Sequence, residues 1–144
     1  MTTSASELKH ELNQYTGGDQ VYHHALAKSF FYTAGVRAFF QKAGNGAYWF
    51  SDILATEPLI KKAVEAYDFC LVLLTVRPNG TALLTVSRDA TTDEHDENLR
   101  HPIGVEFRRE INCTDCPEGQ WCFYLSWTRV GSREGMIAML PREY

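Results

Sequence analysis

Long apolar runs are absent from this sequence. The longest uninterrupted one, residues 69–74, has the length of a β-strand, whereas a membrane-spanning helix needs about 18 apolar residues or more. Residues 1–6 are polar, and a secretory leader would instead place an apolar segment after a basic start. We therefore expect a cytoplasmic protein that has no membrane partner.

Positive charge is also scarce. The chain has 14 Lys and Arg against 18 Asp and Glu, which gives a net charge of -4. Proteins that bind nucleic acids generally present a basic surface to the phosphates, so we expect no direct nucleic-acid binding. Apolar residues make up 44% and charged residues 22% of the 144 residues. These values are typical of a globular chain and predict a single domain, residues 1–144, with its own core.

Several motifs that identify enzymes are missing. The sequence contains no Gly-x-Ser-x-Gly, no glycine-rich phosphate loop and no His-Glu-x-x-His. Gly44-Asn45-Gly46 is too short to hold a nucleotide and lies between two predicted helices, where Gly44 is expected to end the first. We expect a protein that is not an enzyme.

Helical signals dominate the first half of the chain. Ser4 and Glu7 have the spacing of a capping box, and Thr33 is a suitable N-cap for a second helix. Further helices are predicted from Ala47 and from Pro58, which suits a first turn. The helix that follows Thr33 carries an apolar stripe at helical spacing: Val36, Phe39, Phe40 and Ala43.

The pattern then changes to that of strands. The predicted strands span residues 69–76, 81–87, 103–111 and 121–127, with 135–140 as a candidate fifth. A hairpin turn is predicted at Pro78-Asn79-Gly80. Arg109 falls on the apolar side of its strand, which indicates a strand end, a bulge or a carboxylate partner. Helices followed by strands predict an α+β fold, with N-terminal helices packed on a C-terminal antiparallel sheet of four to five strands.

Three cysteines form a candidate metal site. Cys113 and Cys116 have the Cys-x-x-Cys spacing of a zinc knuckle, Cys122 could be a third ligand, and His95 or His101 a fourth. The second half of a full zinc motif is missing, so a loop with free thiols is the favoured interpretation. We expect no cofactor, with zinc as the open alternative.

The most charged stretch is a candidate partner surface. Asp93, Glu94, Asp96 and Glu97 lie within five positions. They could contact a basic partner, gaining mainly association rate and specificity, or form only a solvated loop. Tyr22, beside the His23-His24 pair, is a further candidate contact residue.

An alternative site combines aromatic and charged residues. Tyr48 and Trp49 could stack on a nucleotide base, and Asp52 lies on a mostly apolar helix, where a carboxylate must be paired or at the rim. Arg37 and Arg109 are conceivable partners of Asp52. These residues predict a small-ligand pocket or enzyme site near Tyr48, Trp49, Asp52 and Arg109, although packing and a structural ion pair are the favoured interpretations.

The order of these features resembles a family of small proteins from phages, plasmids and other mobile elements, catalogued as domain of unknown function 6876. The matching segments are residues 14–17, 22–24, 31–36, 43–55 and 140–144. The resemblance implies the fold and a mobile-element setting and supplies no activity and no catalytic residue. Proteins of this size and setting are often inhibitors of host defence, including anti-CRISPR proteins.

The resemblance and the residues together predict a non-enzymatic protein that binds and blocks a host protein in the host cytosol, with a defence complex as the expected target. The expected contact residues are Asp93, Glu94, Asp96, Glu97, Tyr22 and Trp49. The alternatives are the small-ligand pocket and a zinc-stabilised adaptor. A surplus apolar face on the sheet would also permit a homodimer.

Overall fold

The computed structural model describes residues 4–17 and 20–144 of the chain. Within these ranges, four α-helices accompany one seven-stranded sheet. None of the described helices is long and apolar enough to cross a membrane. The helices are α1 (Ala5–Leu12), α2 (Ala34–Lys42), α3 (Tyr48–Thr56) and α4 (Pro58–Tyr67). The strands are β1 (Val21–His23), β2 (Phe30–Thr33), β3 (Phe69–Val76), β4 (Ala82–Thr92), β5 (Arg100–Ile111), β6 (Gly119–Val130) and β7 (Arg133–Met139).

The predicted helix starts are confirmed. The backbone N–H of Glu7 donates to Ser4 Oγ over 3.2 Å, and Ser4 Oγ donates to Glu7 Oε1 over 3.0 Å. Thr33 Oγ1 accepts the N–H of Val36 at 3.4 Å. Pro58 occupies the first turn of α4. Each start depends on residues close in sequence, which is why the sequence alone identified it.

The α+β class is confirmed, but the expected antiparallel sheet of four to five strands is wrong in number and in direction. The strand order is β1-β2-β7-β6-β3-β4-β5, and β2 runs parallel to β7. β1 and β2 have only three and four residues, too few to show an alternating pattern. β6 returns to the far side of β3 instead of continuing beside β5, so the sheet is not a simple meander.

The core lies between the helices and one face of the sheet. Phe39 of α2 and Phe50 of α3 pack on Phe123 of β6, with ring centroids 4.9 and 5.2 Å apart. All three side chains are buried, and such aromatic contacts dominate the energetics of cores. The aromatic segment of residues 30–55 therefore forms the helical half of the core.

The start of β5 covers part of the other face of the sheet. The N–H of Arg100 donates to Gln120 Oε1 over 2.8 Å, and Gln120 Nε2 donates to the carbonyl of Arg100 over 2.9 Å. Gln120 lies opposite Thr75 of β3. The two hydrogen bonds between Arg100 and Gln120 therefore hold the far end of the β4–β5 hairpin over β3 and β6. The register of the β4–β5 ladder shifts between Val86, which pairs with Phe107, and Ser87, which pairs with Val105. A β-bulge of this kind bends the strands.

Candidate functional site

Three of the four residues of the predicted ligand pocket line one cavity. Trp49 and Asp52 of α3 face Arg109, near the end of β5, across a space of about 450 Å³. Arg109 is paired with Leu84, and directly opposed side chains share a face of the sheet, so Arg109 lies on the helical side. Tyr48 is outside the lining, is 47% exposed and contacts Phe40.

The partner of Asp52 is His24, and neither Arg37 nor Arg109 forms an ion pair with it among the described residues. His24 Nε2 lies 2.7 Å from Asp52 Oδ1. His24 Nδ1 accepts the backbone N–H groups of Leu26 and Ala27 at 3.1 and 3.0 Å. Since Nδ1 accepts both bonds, the ring proton is on Nε2 and is donated to Asp52. Both ring nitrogens are thus used to hold the loop after β1 against α3.

The side chain of Tyr22 contacts the guanidinium of Arg37. The guanidinium carbon of Arg37 lies 4.4 Å from the centroid of the Tyr22 ring, and Arg37 Nη1 donates to Tyr22 Oη over 3.2 Å. The ring also stacks on Tyr32 with centroids 5.9 Å apart. A cation over an aromatic face contributes about 0.5–1 kcal/mol at an exposed site. Tyr22 therefore helps to order Arg37 at the β1 edge.

Two of the four predicted acidic contact residues build their own loop. Asp93 Oδ1 lies 2.7 Å from His101 Nε2, and Asp93 Oδ2 accepts the N–H of His95 at 2.9 Å. The hydrogen bond from His101 is the main reason that the pKa of Asp93 is held below its usual value. Asp96 Oδ1 accepts the N–H of Asn98 at 2.9 Å. Glu94, Asp96 and Glu97 are all exposed, and among the described residues Glu94 and Glu97 are the two whose carboxylates accept no hydrogen bond from the loop.

The predicted contact residues do not share one surface. The acidic loop precedes β5, whereas the cavity of Trp49 adjoins the opposite end of this 12-residue strand. The start of β5 lies over the face of the sheet opposite the helices, where Arg100 bonds to Gln120, whereas the Trp49 cavity is on the helical side. Tyr22 lies on β1, at the other edge of the sheet from β5.

The predicted zinc ligands differ in exposure. Cys113 is exposed, Cys116 is buried and Cys122 is half-buried. Burial raises the pKa of the Cys116 and Cys122 thiols. In the part of the chain that the structure describes, no group of three His, Cys, Asp or Glu side chains is arranged to hold a metal. Zinc binding stays a prediction that metal analysis can test.

The loop of Cys113 and Cys116 docks on the glycine turn after α2. The N–H of Asn45 donates to Asp115 Oδ2 over 2.9 Å. Gly44 has φ +60°, and a Cβ there would lie 2.3 Å from Asp115 Oδ1. The glycine therefore permits both the left-handed backbone and the close approach of the loop.

The carboxylate of Glu143 accepts hydrogen bonds at the start of α2. Glu143 Oε1 accepts the hydroxyl of Thr33 at 2.5 Å and the N–H of Leu140 at 3.0 Å, and Glu143 Oε2 accepts the N–H of Gly35 at 3.1 Å. A Cβ on Gly35 would lie 2.6 Å from Leu140 Cδ1. Two segments that carry the family resemblance, residues 31–36 and 140–144, thus meet at the start of α2, and a third, residues 43–55, begins where α2 ends.

A family profile described as "Family of unknown function (DUF6876)" matches residues 6–144. The chain belongs to this family. The match covers almost the whole chain and confirms the resemblance inferred from residues 14–17, 22–24, 31–36, 43–55 and 140–144. Neither the curated proteins nor the solved structures gave a significant match to this chain. Membership in DUF6876 establishes the family and leaves the activity to be proposed from the site.

The amino-acid sequence does not reveal the roles of His24 and Glu143. Asp52 lies 28 positions from His24, and Thr33 lies 110 positions from Glu143. A local pattern does not reveal such pairs. The one available signal was that Asp52, on a mostly apolar helix, required a partner, and this signal did not specify a histidine.

Proposed function

We propose that this DUF6876 protein is a non-enzymatic binding protein that occludes a surface of a host protein. The observation that carries the proposal is the tip of the β4–β5 hairpin, where Asp93 and Asp96 accept backbone hydrogen bonds that order the turn and Glu94 and Glu97 are exposed without such bonds among the described residues. A loop that is ordered before binding loses less conformational entropy in the complex. The exposed carboxylates favour a partner with a basic surface.

The proposed target is a component of a host defence complex, as for anti-CRISPR proteins, and the proposed location is the host cytosol. This part of the proposal is supported by the mobile-element setting that the family resemblance implies. A basic target is consistent with it, because proteins that bind nucleic acids use basic surfaces. Binding by exposed carboxylates would block such a surface without any chemical step.

Affinity purification from host lysate with a matched set of variants tests this function. The unaltered protein is compared with Glu94→Gln/Glu97→Gln, which removes both exposed charges and retains the polar side chains. Glu65→Gln on the exposed side of α4 is the control. We expect one host protein to be enriched by the unaltered protein and by the control, and to be lost with the double variant. Equal enrichment by all three proteins contradicts the proposed surface.

The Trp49 cavity supports a second candidate function, the binding of a small aromatic anion such as a nucleotide. Trp49 would stack on the base, and Arg109 would contact a phosphate. Both residues line the same 450 Å³ space, a size within the usual range of ligand pockets. A thermal-shift screen of nucleotides tests it: a stabilising ligand should lose its effect with Trp49→Ala and with Arg109→Gln. A ligand that stabilises these variants equally binds elsewhere.

A further inference from the structure

The sheet has an open position beside the first half of β6. The ladder between β6 and β7 ends at Tyr124 and Met139. Pro141 then turns the chain into a short 3₁₀ helix, Pro141–Glu143, and a proline lacks the N–H that would extend a strand. Within the described sheet, residues 119–123 of β6 therefore pair with β3 alone. Every second residue of such an edge directs its backbone N–H and C=O to the free side.

A cavity of about 510 Å³ occupies this open position. Its walls are α1, through Lys9 and Leu12, the β4–β5 hairpin, through Asn98 and Arg100, and the turn after β7, through Arg142. β6 forms its floor. The space is within the usual size range of binding pockets and lies where an extension of β7 would run.

The charged side chains that line this cavity are all cations: Lys9, Arg100 and Arg142. None of them takes part in the ion pairs found among the described residues. Since the whole chain has a net charge of -4, this cluster is opposite in sign to the molecule around it. The cavity is electrostatically complementary to an anion.

The cations flank both faces of the sheet at this edge. Lys9 Nζ lies 5.1 Å from the ring centroid of Trp121, which is buried on the helical face. Arg100 Nη1 lies 3.9 Å from Cys122 Sγ, and Cys122 points to the opposite face because neighbouring side chains alternate in a strand. A strand in the open position would direct its own side chains alternately to these two faces. An acidic strand would meet a cation on each of them, whereas a single small anion would reach only one.

We propose that this open position binds an extended acidic segment of a partner protein, which adds to the sheet as a strand beside β6. The backbone of residues 119–123 pairs with the segment, as in other cases of strand addition. Its carboxylates contact Arg100 on one face and Lys9 on the other, with Arg142 at the end of the cavity. This site adjoins Glu97, which directly precedes Asn98 of its wall, but its cations are opposite in sign to Glu94 and Glu97, and it does not rest on the function proposed above.

Peptides of defined charge and backbone test the proposal on the unaltered protein. The probe is a fluorescein-labelled peptide of alternating Glu and Val, and fluorescence anisotropy reports its binding. We expect the peptide to bind, its Lys-Val counterpart to show no binding, and methylation of every second backbone nitrogen to weaken binding about tenfold or more. Undiminished binding of the methylated peptide would show that charge alone is recognised and would overturn strand addition.

Variants of the protein locate the site. Lys9→Gln/Arg142→Gln changes two exposed side chains and should weaken peptide binding about tenfold, whereas Lys61→Gln/Lys62→Gln on α4 should leave it unchanged. Circular dichroism checks that both keep the native fold. Equal weakening by the two pairs, or displacement of the peptide by an equal concentration of inorganic phosphate, overturns the proposal. Self-association that Lys9→Gln/Arg142→Gln abolishes, without any peptide binding, assigns the position to a second copy and also overturns it.

Discussion

Glu143 accepts a hydrogen bond from the backbone N–H of Gly35 over 3.1 Å, although the two residues are separated by 108 positions in the chain. The same carboxylate accepts the hydroxyl of Thr33, the N-cap of α2. A negative charge at this end of a helix is also favoured by the helix dipole. The contact therefore anchors the last described turn to the helix that supplies Phe39 to the core.

Removing this carboxylate should destabilise the fold. We expect Glu143→Ala to lower the free energy of unfolding by about 1–3 kcal/mol, because it leaves the Gly35 N–H and the Thr33 hydroxyl without their acceptor. Glu143→Gln retains one acceptor oxygen and should cost less. The measurement is urea denaturation. Glu134→Ala is the control, since the ion pair of Glu134 with Arg129, at 3.8 Å, is exposed. An equal effect of Glu143→Ala and Glu134→Ala would contradict the anchoring role.

Two glycines with nearly equal φ allow the cost of the left-handed backbone to be separated from that of steric contact. Gly44 and Gly131 have φ of +60° and +63°, but only Gly44 has an atom within 4 Å of a Cβ position, the carboxylate of Asp115. Gly131→Ala should cost about 1–2 kcal/mol, the cost of the left-handed backbone. Gly44→Ala should cost more, because the loop of Asp115 must also move. Thermal unfolding of both variants measures the difference. Similar losses would show that this loop adapts freely.

The predictable parts of the fold depend on residues that are close in sequence. Ser4 with Glu7, and Thr33 with Val36, form contacts three positions apart, and Gly80 at φ +80° turns the β3–β4 hairpin as expected. The pairing of β2 with β7 was not predictable. It joins Phe30 to Met136, and a four-residue strand shows no period that distinguishes it from the end of a loop.

The contribution of Asp93 in the acidic loop to the stability of the protein should decrease as the pH falls. In the folded protein the pKa of Asp93 is lowered, chiefly by the hydrogen bond from His101. A lowered folded pKa stabilises the protein above the unfolded pKa, about 3.9, and this contribution is lost as the pH falls through the folded value. The stability advantage over Asp93→Asn should thus be present at pH 6 and shrink below about pH 4. Denaturation at each pH measures it, and an advantage that grows on acidification would contradict the assignment.

Thiol labelling tests the cysteine loop and the zinc alternative together. Cys113 is exposed, whereas burial raises the pKa of Cys116 and raises that of Cys70 to about 11. Because the thiolate is the reactive form, iodoacetamide at pH 8 should modify Cys113 first in mass spectra. Labelling of Cys113 that requires a chelator, together with bound zinc by elemental analysis, would instead support the zinc adaptor.

One of the two candidate binding cavities was predictable from the sequence, and the other was not. Trp49, Asp52 and Arg109 were expected together and do line one cavity, because an arginine on the apolar side of a strand must face the helices. Lys9, Arg100 and Arg142 were not singled out. They come from α1, the start of β5 and the turn after β7. They line one cavity because β7 stops at Met139 and leaves the first residues of β6 uncovered.

The hairpin tip is proposed to bind a host protein. A photo-crosslinking amino acid in place of His95, which is exposed between Glu94 and Asp96, tests it most directly in host lysate, with the same substitution at Lys62 of α4 as the control. We expect one crosslinked host protein at position 95, absent at position 62 and lost when Glu94 and Glu97 are changed to Gln. The same crosslinks at both positions, or none at position 95, would contradict it.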